Sequence, residues 1–336
     1  MTHSLDVAVV GATGSVGEAL VQVLEERKLP VGTLHALAGA DSVGQTASYK
    51  GRNLRVRDVQ AFDFSTVQLV FFAAGQSVTA QFIDKARAAG CMVIDLSGGL
   101  PPEQAPRVVP EVNPQALEHL GAPYVVTSPS SVSVALGCVL AALRQVVNVE
   151  RINLTACLAV SSRGREGVSE LARQTAELLN GRAFEPQVFG RQMAFNMLAQ
   201  VDQPDLQGHG LLEKRVAGEL KELLVEPKLR MSINCIQAPV FFGDSLSLSL
   251  QTTKAVDLAK VCDALQRAPA LECVEFEDYP TVVGDAVGQD VIYVGRVRAG
   301  LDDPAELNLW IASDNVRKGA AINAVQLAEL LIKHYL

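Results

Sequence analysis

The chain has 336 residues, of which 49% are hydrophobic and 20% are charged, and its formal net charge is −8. A chain of this length and apolar content can bury two hydrophobic cores, which favours about two globular domains over disorder. The net negative charge argues against nucleic acid or an anionic membrane surface as a partner, because both are bound through basic patches on a protein. The sequence contains no membrane-length apolar stretch and no basic leader before the first strand, so we expect a cytoplasmic protein.

Six cysteines are scattered along the chain without the close spacing of metal ligands or redox pairs. Most stand in apolar strand or helix patterns, where reduced and buried thiols are common. We therefore expect neither disulfides nor a metal site. The six are Cys91, Cys138, Cys157, Cys235, Cys262 and Cys273.

The first part of the chain alternates between strand and helix patterns. The apolar run Leu5–Val10 predicts a strand, and an amphipathic helix is predicted from about Ser15. Strands are then predicted over Thr33–Ala38, Leu54–Val59, Leu69–Ala73, Met92–Leu96 and Tyr124–Thr127, with a helix over Thr79–Ala89. This alternation predicts an α/β fold with a doubly wound parallel sheet.

From about Val132 the pattern changes to longer strands and a loop-rich stretch over Pro186–Gly210. Helices are predicted over Val132–Val146, Val168–Leu179, Leu211–Leu224, Val256–Ala268 and Val316–Tyr335, and strands over Arg151–Val160, Arg230–Val240, Ser245–Thr252, Val291–Val297 and Leu307–Ala312. Serine and leucine alternate in residues 245–250, as in a strand with one buried and one polar face. The central region therefore predicts an α+β domain with a mixed or antiparallel sheet.

A glycine-rich turn, Gly-Ala-Thr-Gly-Ser-Val-Gly, separates the first strand from the first helix. In this context, backbone N–H groups and the helix N-terminus can approach a pyrophosphate, and the last glycine lets helix and strand lie close together. A glycine triplet alone is a weak signal, and a purely structural turn is the alternative. The candidate cofactor-binding residues of this turn are Gly11, Thr13, Gly14, Ser15, Val16 and Gly17.

Several longer segments resemble the aspartate-semialdehyde dehydrogenase family, in its order and over essentially the full length. They are residues 11–17, 71–78, 93–97, 108–114, the helix after Ser131, 238–245 and 314–330. The resemblance implies a Rossmann-type dinucleotide-binding domain over residues 1–130 plus 315–336, completed by the C-terminal helix. It also implies a catalytic-like dimerisation domain over residues 131–314, and hence a homodimer.

That family's reaction requires a cysteine nucleophile, a histidine base and an arginine that grips an anionic substrate group. At the matching positions this chain has Ser131, Asp244 and Gln237. We predict that these three residues do not support the family reaction. Glu219 matches a substrate-contact residue, and a plain helix-surface charge is an equally open interpretation. The serines around Ser131 also suit the N-cap of the helix that follows.

The residues expected to bind the cofactor depart less from the family pattern than the residues expected to carry out its reaction. The resemblance places Ala74, Gly75 and Gln326 at the nucleotide, and it places Asp41 where the family usually has an arginine for the 2′-phosphate of NADP. A carboxylate repels that phosphate and suits a ribose hydroxyl instead. We therefore expect NAD(P) binding to be weak, with NADP disfavoured.

Two functional hypotheses follow. The first is a non-catalytic, dimeric paralogue of the family, of the Usg type, that retains nucleotide binding. The second is an NAD(P)-dependent oxidoreductase of amino-acid biosynthesis, either an aspartate-semialdehyde dehydrogenase or an enzyme with an altered substrate.

Overall fold

A computed structural model describes residues 4–118 and 120–335. By its internal contacts the chain divides into two compact units, residues 1–130 with 320–336 and residues 131–319. The strands are β1 (Leu5–Val10), β2 (Val31–Ala38), β3 (Thr46–Tyr49), β4 (Arg52–Arg55), β5 (Arg57–Asp58), β6 (Leu69–Phe72), β7 (Met92–Asp95), β8 (Val125–Thr127), β9 (Val149–Leu158), β10 (Arg230–Gln237), β11 (Asp244–Thr252), β12 (Leu271–Cys273), β13 (Ile292–Ala299) and β14 (Glu306–Ser313). The α-helices are α1 (Ser15–Glu26), α2 (Gln76–Ala88), α3 (Ser131–Leu143), α4 (Gly164–Leu179), α5 (Leu211–Leu223), α6 (Leu258–Arg267) and α7 (Asn323–Tyr335).

The first unit contains a parallel six-stranded sheet in the order β5-β2-β1-β6-β7-β8. Successive residues of β1 enter opposite cores: Val9 joins the cluster that includes Leu24 of α1 and Leu327 of α7, whereas Val10 joins the one that includes Phe82 of α2. Helices therefore cover both faces, and this explains why the four residues Val7–Val10 of β1 are all apolar and buried. The predicted doubly wound sheet is confirmed.

The turn between β1 and α1 depends on glycine at two positions. Gly11 has φ +88°, in the left-handed region that favours glycine. A Cβ on Gly17 would lie 2.0 Å from the carbonyl oxygen of Gly11, so no side chain fits there. The last glycine of the turn thus brings the first turn of α1 against the end of β1.

One predicted strand, Leu54–Val59, is wrong as a single element. Its first half belongs to β4, which pairs with β3 in an antiparallel hairpin, and its second half, β5, pairs with β2. The hairpin turns at Lys50 and Gly51, which have φ values of 48° and 70°. A two-residue turn with positive φ at both positions matches the right-handed twist of the flanking strands.

The second unit is built on a mixed sheet in the order β10-β9-β11-β14-β13-β12. The outer pairs β10–β9 and β12–β13 are parallel, and the inner pairs are antiparallel. Leu246, Leu248 and Leu250 of β11 are buried, while Ser247 on the opposite face is exposed between Thr155 and Trp310. The predicted mixed sheet with one polar face is confirmed.

Helix α4 holds the loop-rich stretch after it through two buried side chains. Gln174 Oε1 accepts hydrogen bonds from the backbone N–H groups of Met193 and Ala194, at 2.7 and 3.1 Å. Glu170 Oε1 accepts from the Gln187 N–H at 2.8 Å and from Gln174 Nε2 at 2.8 Å. Buried backbone groups outside regular structure need such partners, so these two side chains set the path of the loop.

The C-terminal helix differs from its predicted bounds. The prediction runs unbroken over Val316–Tyr335, but the backbone is π-helical over Arg317–Ile322 and becomes α-helical at Asn323. A π-helical turn has more residues per turn than an α-helix, so it changes the direction in which the following side chains point. Within residues 4–118 and 120–335, no helix has the length and apolar character needed to cross a membrane.

Candidate functional site

Ser131 and Asp244 lie in direct contact in the second unit. The Ser131 hydroxyl, on the first residue of α3, donates a hydrogen bond of 2.8 Å to Asp244 Oδ2, on the first residue of β11. The backbone of Gly319 lies against Ser131, since a Cβ on Gly319 would be 2.6 Å from the Ser131 Cβ. The structure therefore brings together the two residues that the sequence singles out as nucleophile and base positions.

Asp244 is a buried carboxylate with an altered acidity. Its Oδ1 accepts a hydrogen bond of 3.1 Å from the Ala159 N–H. Burial raises the pKa of Asp244 to about 6; the hydrogen bonds from Ala159 and Ser131 oppose the rise, and the charge of Asp314 adds to it. Above that pKa Asp244 is an acceptor for the Ser131 hydroxyl, and below it Asp244 carries a proton of its own.

Gln237, at the end of β10, is turned toward the backbone of its own unit. Its Nε2 donates a hydrogen bond of 2.8 Å to the Leu158 carbonyl, and its side chain also reaches the Ser162 hydroxyl at 3.4 Å. Only 1% of Gln237 is exposed. An amide with these partners carries no charge and cannot form the paired, charge-assisted bonds with which arginine holds a carboxylate.

A second polar network lies close to Asp244, and the sequence did not predict it. Asn315 Oδ1 accepts from the Gly243 N–H at 2.9 Å, and Asn315 Nδ2 donates to the Ser161 hydroxyl at 3.0 Å. Asp314 accepts from the N–H groups of Val316 and Gly288, at 2.9 and 2.8 Å. The Asn315 bond holds Gly243, the residue before Asp244. In the sequence, only the Asp-Asn pair at the start of the segment 314–330 points to this network.

Glu219 is not a surface charge, so that interpretation of the sequence is wrong. It lies on the buried side of α5 with 1% of its surface exposed, and its Oε1 accepts a hydrogen bond of 2.7 Å from Arg215 Nε. The pair is one helical turn apart, and burial of a carboxylate requires a partner of this kind. A structural ion pair within α5 accounts for Glu219, and a role in substrate contact stays a prediction.

The proposed nucleotide-binding residues of the first unit cluster at the carboxyl ends of its strands. Helix α1 begins at Ser15 after Gly14, and α2 begins after Gly75, in both cases without a side-chain cap. Gly11 and Ala74 lie close together, because a Cβ on Gly11 would be 3.1 Å from the Ala74 Cβ. After the adjacent parallel strands β1 and β6, the chain turns to opposite faces of the sheet, into α1 and α2. Doubly wound folds bind nucleotides in the crevice at such a point.

Gln326 and Asn323 present buried polar atoms in the same unit. Gln326 Nε2 donates to Glu111 Oε1 at 3.0 Å, and Asn323 Nδ2 donates to the Ser128 hydroxyl at 2.8 Å. Among the described residues, nothing donates a hydrogen bond to Gln326 Oε1 or Asn323 Oδ1. Unsatisfied buried acceptors suit a ligand that carries donors, such as a nicotinamide carboxamide, so the residues present fit a dinucleotide. The partners of Ser128 and Ser131 also show that these two hydroxyls are engaged in tertiary contacts.

Cysteine thiols of the second unit are less acidic than free thiols where burial and acidic neighbours act on them. Cys138 and Cys235 are buried, and burial, with acidic neighbours, raises the pKa of Cys235 to about 12. Cys157 lies close enough to Asp244 to feel its charge; burial and that charge raise the pKa of its thiol. Among residues 4–118 and 120–335, no three His, Cys, Asp or Glu side chains are placed to hold a metal ion.

Both units match protein-family models. Residues 6–120 match the NAD binding domain of semialdehyde dehydrogenase, and residues 140–318 match the semialdehyde dehydrogenase dimerisation domain. Among curated proteins, the chain is 62% identical over 333 residues to a USG-1 protein homolog of Azotobacter vinelandii, covering 99% of both chains. It is 38% identical over 336 residues to aspartate-semialdehyde dehydrogenase 2 of Vibrio cholerae, covering 100% of both.

A solved structure agrees with these matches. A probable aspartate-semialdehyde dehydrogenase from Pseudomonas aeruginosa is 57% identical, with a TM-score of 0.97 over 99% of this chain and 100% of that one. Two matched domain models, a full-length relative above 30% identity and a shared fold all agree. The chain therefore belongs to the aspartate-semialdehyde dehydrogenase family.

Proposed function

We propose that this protein is a dimeric, non-catalytic member of the family that still binds a nicotinamide dinucleotide. The observation that carries the proposal is the bond between Ser131 and Asp244, at the positions that the family resemblance assigns to its nucleophile and base. A serine hydroxyl has a far higher pKa than a thiol and forms an ester, which is a poorer acyl donor than the thioester the reaction needs. Gln237, already committed to Leu158 and Ser162, adds no positive charge for an anionic substrate.

A second candidate function rests on the acidity of Asp244. A carboxylate with a pKa of about 6 that already accepts the Ser131 hydroxyl is matched to work as a general base near neutral pH. This favours an oxidoreductase with an altered substrate in amino-acid biosynthesis. The name of the Pseudomonas aeruginosa relative, a probable aspartate-semialdehyde dehydrogenase, is in keeping with the same reading.

The absence of the family reaction can be measured directly. With aspartate semialdehyde, phosphate and either NAD or NADP, we expect a rate at least ~10⁴-fold below that of the Vibrio cholerae relative, because loss of a nucleophile or base typically lowers rates by this order and the losses do not simply add. A Ser131→Cys, Asp244→His, Gln237→Arg triple variant should gain turnover over the wild type. Ser133→Cys, a thiol two residues further along α3, should gain none. Robust wild-type turnover would overturn the proposal.

Nucleotide preference tests the role of Asp41, which is exposed just after β2. When bound, a dinucleotide would supply hydride-transfer chemistry, and Gly11, Gly14 and Gly17 would admit its pyrophosphate. We expect calorimetric titration to give NAD at least about tenfold tighter binding than NADP, or ~1.4 kcal/mol, because a carboxylate at 41 repels the 2′-phosphate.

The matched variants make that test specific. Asp41→Arg should reverse the preference, since a guanidinium pairs with a phosphate. Asp84→Arg makes the same change of charge on the exposed side of α2, where the Asp84 side chain is 87% accessible, and should leave the ratio unchanged. A wild-type preference for NADP contradicts the role assigned to Asp41, and binding of neither nucleotide contradicts retention of the cofactor.

The dimer is supported by the polar face of the mixed sheet. Ser247 and Asn153 on this face are exposed, and Thr155 and Asn308 beside them are half-buried. In a two-fold interface the same surface meets itself, so hydroxyl and amide groups can pair without opposing like charges.

Sedimentation should give twice the chain mass of 35.8 kDa. Ser247→Arg should shift the protein toward monomer, whereas Ser77→Arg on α2 should not; a monomeric wild type refutes the dimer.

The buried carboxylate also predicts a pH dependence of stability. The pKa of Asp244 is higher in the folded protein than its ordinary 3.8, so its stabilising contribution is complete below pH 3.8 and is lost as pH rises through about 6. Relative to Asp244→Asn, the wild type should therefore lose stability over this range, by ~3 kcal/mol. Urea unfolding at several pH values measures the difference, with Asp84→Asn as an exposed control. Parallel pH profiles for wild type and Asp244→Asn would contradict the buried, protonatable state.

A further inference from the structure

The loop-rich stretch after α4 exposes two large apolar side chains close together in the chain. Phe195 is 67% exposed and Met197 is 54% exposed. Both residues fall within the part of the chain that matches the semialdehyde dehydrogenase dimerisation domain. Large apolar side chains that are exposed as a group mark surfaces where a protein meets another molecule, so this stretch is a candidate for an interface.

The backbone keeps Phe195 in its exposed position at a conformational cost. Its φ is +59°, in the left-handed region that bulky residues rarely adopt. Hydrogen bonds hold the chain on both sides of it. The Ala194 N–H donates to the buried Gln174 Oε1 at 3.1 Å, and Asn196 Nδ2 donates to the Gln192 carbonyl at 3.0 Å. A strained residue persists only where its neighbours fix it, and such residues cluster at sites that bind or act on another molecule.

A cavity on the same stretch, the Arg191 cavity, has the complementary shape and chemistry. Its volume is about 550 Å³, and Phe189, Met197 and Leu198 supply apolar parts of its wall. Arg191 also lines it, and nothing within the part of the chain that the structure describes pairs with the Arg191 guanidinium. Such a cavity suits an aromatic ring, because the face of the ring attracts the cation while its carbon atoms cover the apolar wall.

We propose that the ring of Phe195 in one protomer enters the Arg191 cavity of a second copy of this chain, and that the same contact forms in reverse. Phe195 does not line the cavity of its own chain, so the ring and the cavity can meet only between two chains. Reciprocal contacts of this kind define a two-fold interface. The inference rests on the dimer of the proposed function, and it adds an aromatic contact to the polar face of the mixed sheet.

The stretch that carries the ring and the cavity is joined to that sheet. The Leu198 N–H donates to the Gln237 carbonyl at 3.0 Å, and the Gln237 N–H donates to the Leu198 carbonyl at 2.8 Å. Gln237 ends β10, which is the edge strand next to β9. The Arg191 cavity, which Leu198 lines, therefore lies at the margin of the mixed sheet. A single two-fold axis can bring both surfaces of one protomer against those of the other.

Replacement of Phe195 by asparagine tests the contact while leaving the loop undisturbed. Asparagine is among the residues that tolerate a positive φ, so Phe195→Asn removes the ring and keeps the backbone. Sedimentation equilibrium of the full-length protein over a range of concentrations gives the monomer–dimer dissociation constant. We expect Phe195→Asn to raise it by ~30-fold or more, the scale of an aromatic side chain that is central to binding. Arg191→Gln, which removes the cation, should raise it about threefold or more.

Phe276→Asn is the matched control, because Phe276 is another exposed phenylalanine, 86% accessible, on a different loop. This variant should leave the dissociation constant unchanged. If Phe195→Asn also leaves it unchanged in a protein that is a dimer, the contact is wrong and the dimer stands. A wild type that is monomeric at every concentration overturns both the dimer and the contact.

A photochemical cross-link locates the ring. With benzoylphenylalanine in place of Phe195, irradiation should give a covalent dimer on denaturing electrophoresis. Trypsin leaves residue 195 in peptide 192–214, and Phe189 with Arg191 in peptide 183–191. We expect peptide 192–214 to be linked to peptide 183–191 or to a second copy of itself, because these two peptides hold the wall of the cavity. A link to any other peptide, or links within single chains only, would contradict the proposed contact.

Discussion

The second unit depends on the burial of one carboxylate at the start of its central strand. Asp244 opens β11, which lies between β9 and β14, and its two oxygens bind the first residue of α3 and the backbone just after β9. A buried carboxylate is tolerated only where such donors replace water. The Ser131 bond ties the first residue of α3 to the sheet, and removing either donor would leave Asp244 short of a partner.

That arrangement also limits the chemistry available. The same contact that satisfies Asp244 occupies the Ser131 hydroxyl, and Gln237 is similarly taken up by the Leu158 carbonyl. The polar groups at this place are thus largely paired with one another. By the family resemblance, an active site of the semialdehyde dehydrogenase type needs a thiol nucleophile and a cation directed at the substrate, and Ser131 and Gln237 are neither. Under the proposed function, such a network serves a protein that keeps its fold for binding or assembly.

The first unit follows a different constraint, the close approach of α1 to β1. Gly17 allows it by having no side chain, and Gly11 allows it through a positive φ. These are requirements of the backbone, and they would be met in a nucleotide-binding protein and in a purely structural descendant alike. The buried acceptor oxygens of Gln326 and Asn323 point further toward a ligand, because nothing among the described residues donates a hydrogen bond to them.

The sequence by itself determined the type of fold and the identity of the groups at each family position. Period-two patterns, as in Ser247 between Leu246 and Leu248, and a glycine turn between strand and helix depend on local geometry, which neighbouring residues specify. Only the tertiary structure decided that Ser131 and Asp244, 113 positions apart, share a hydrogen bond. It likewise decided that Glu219 is buried. Contacts between distant segments depend on how helices and strands pack, and no local pattern of residues encodes which side chains then meet.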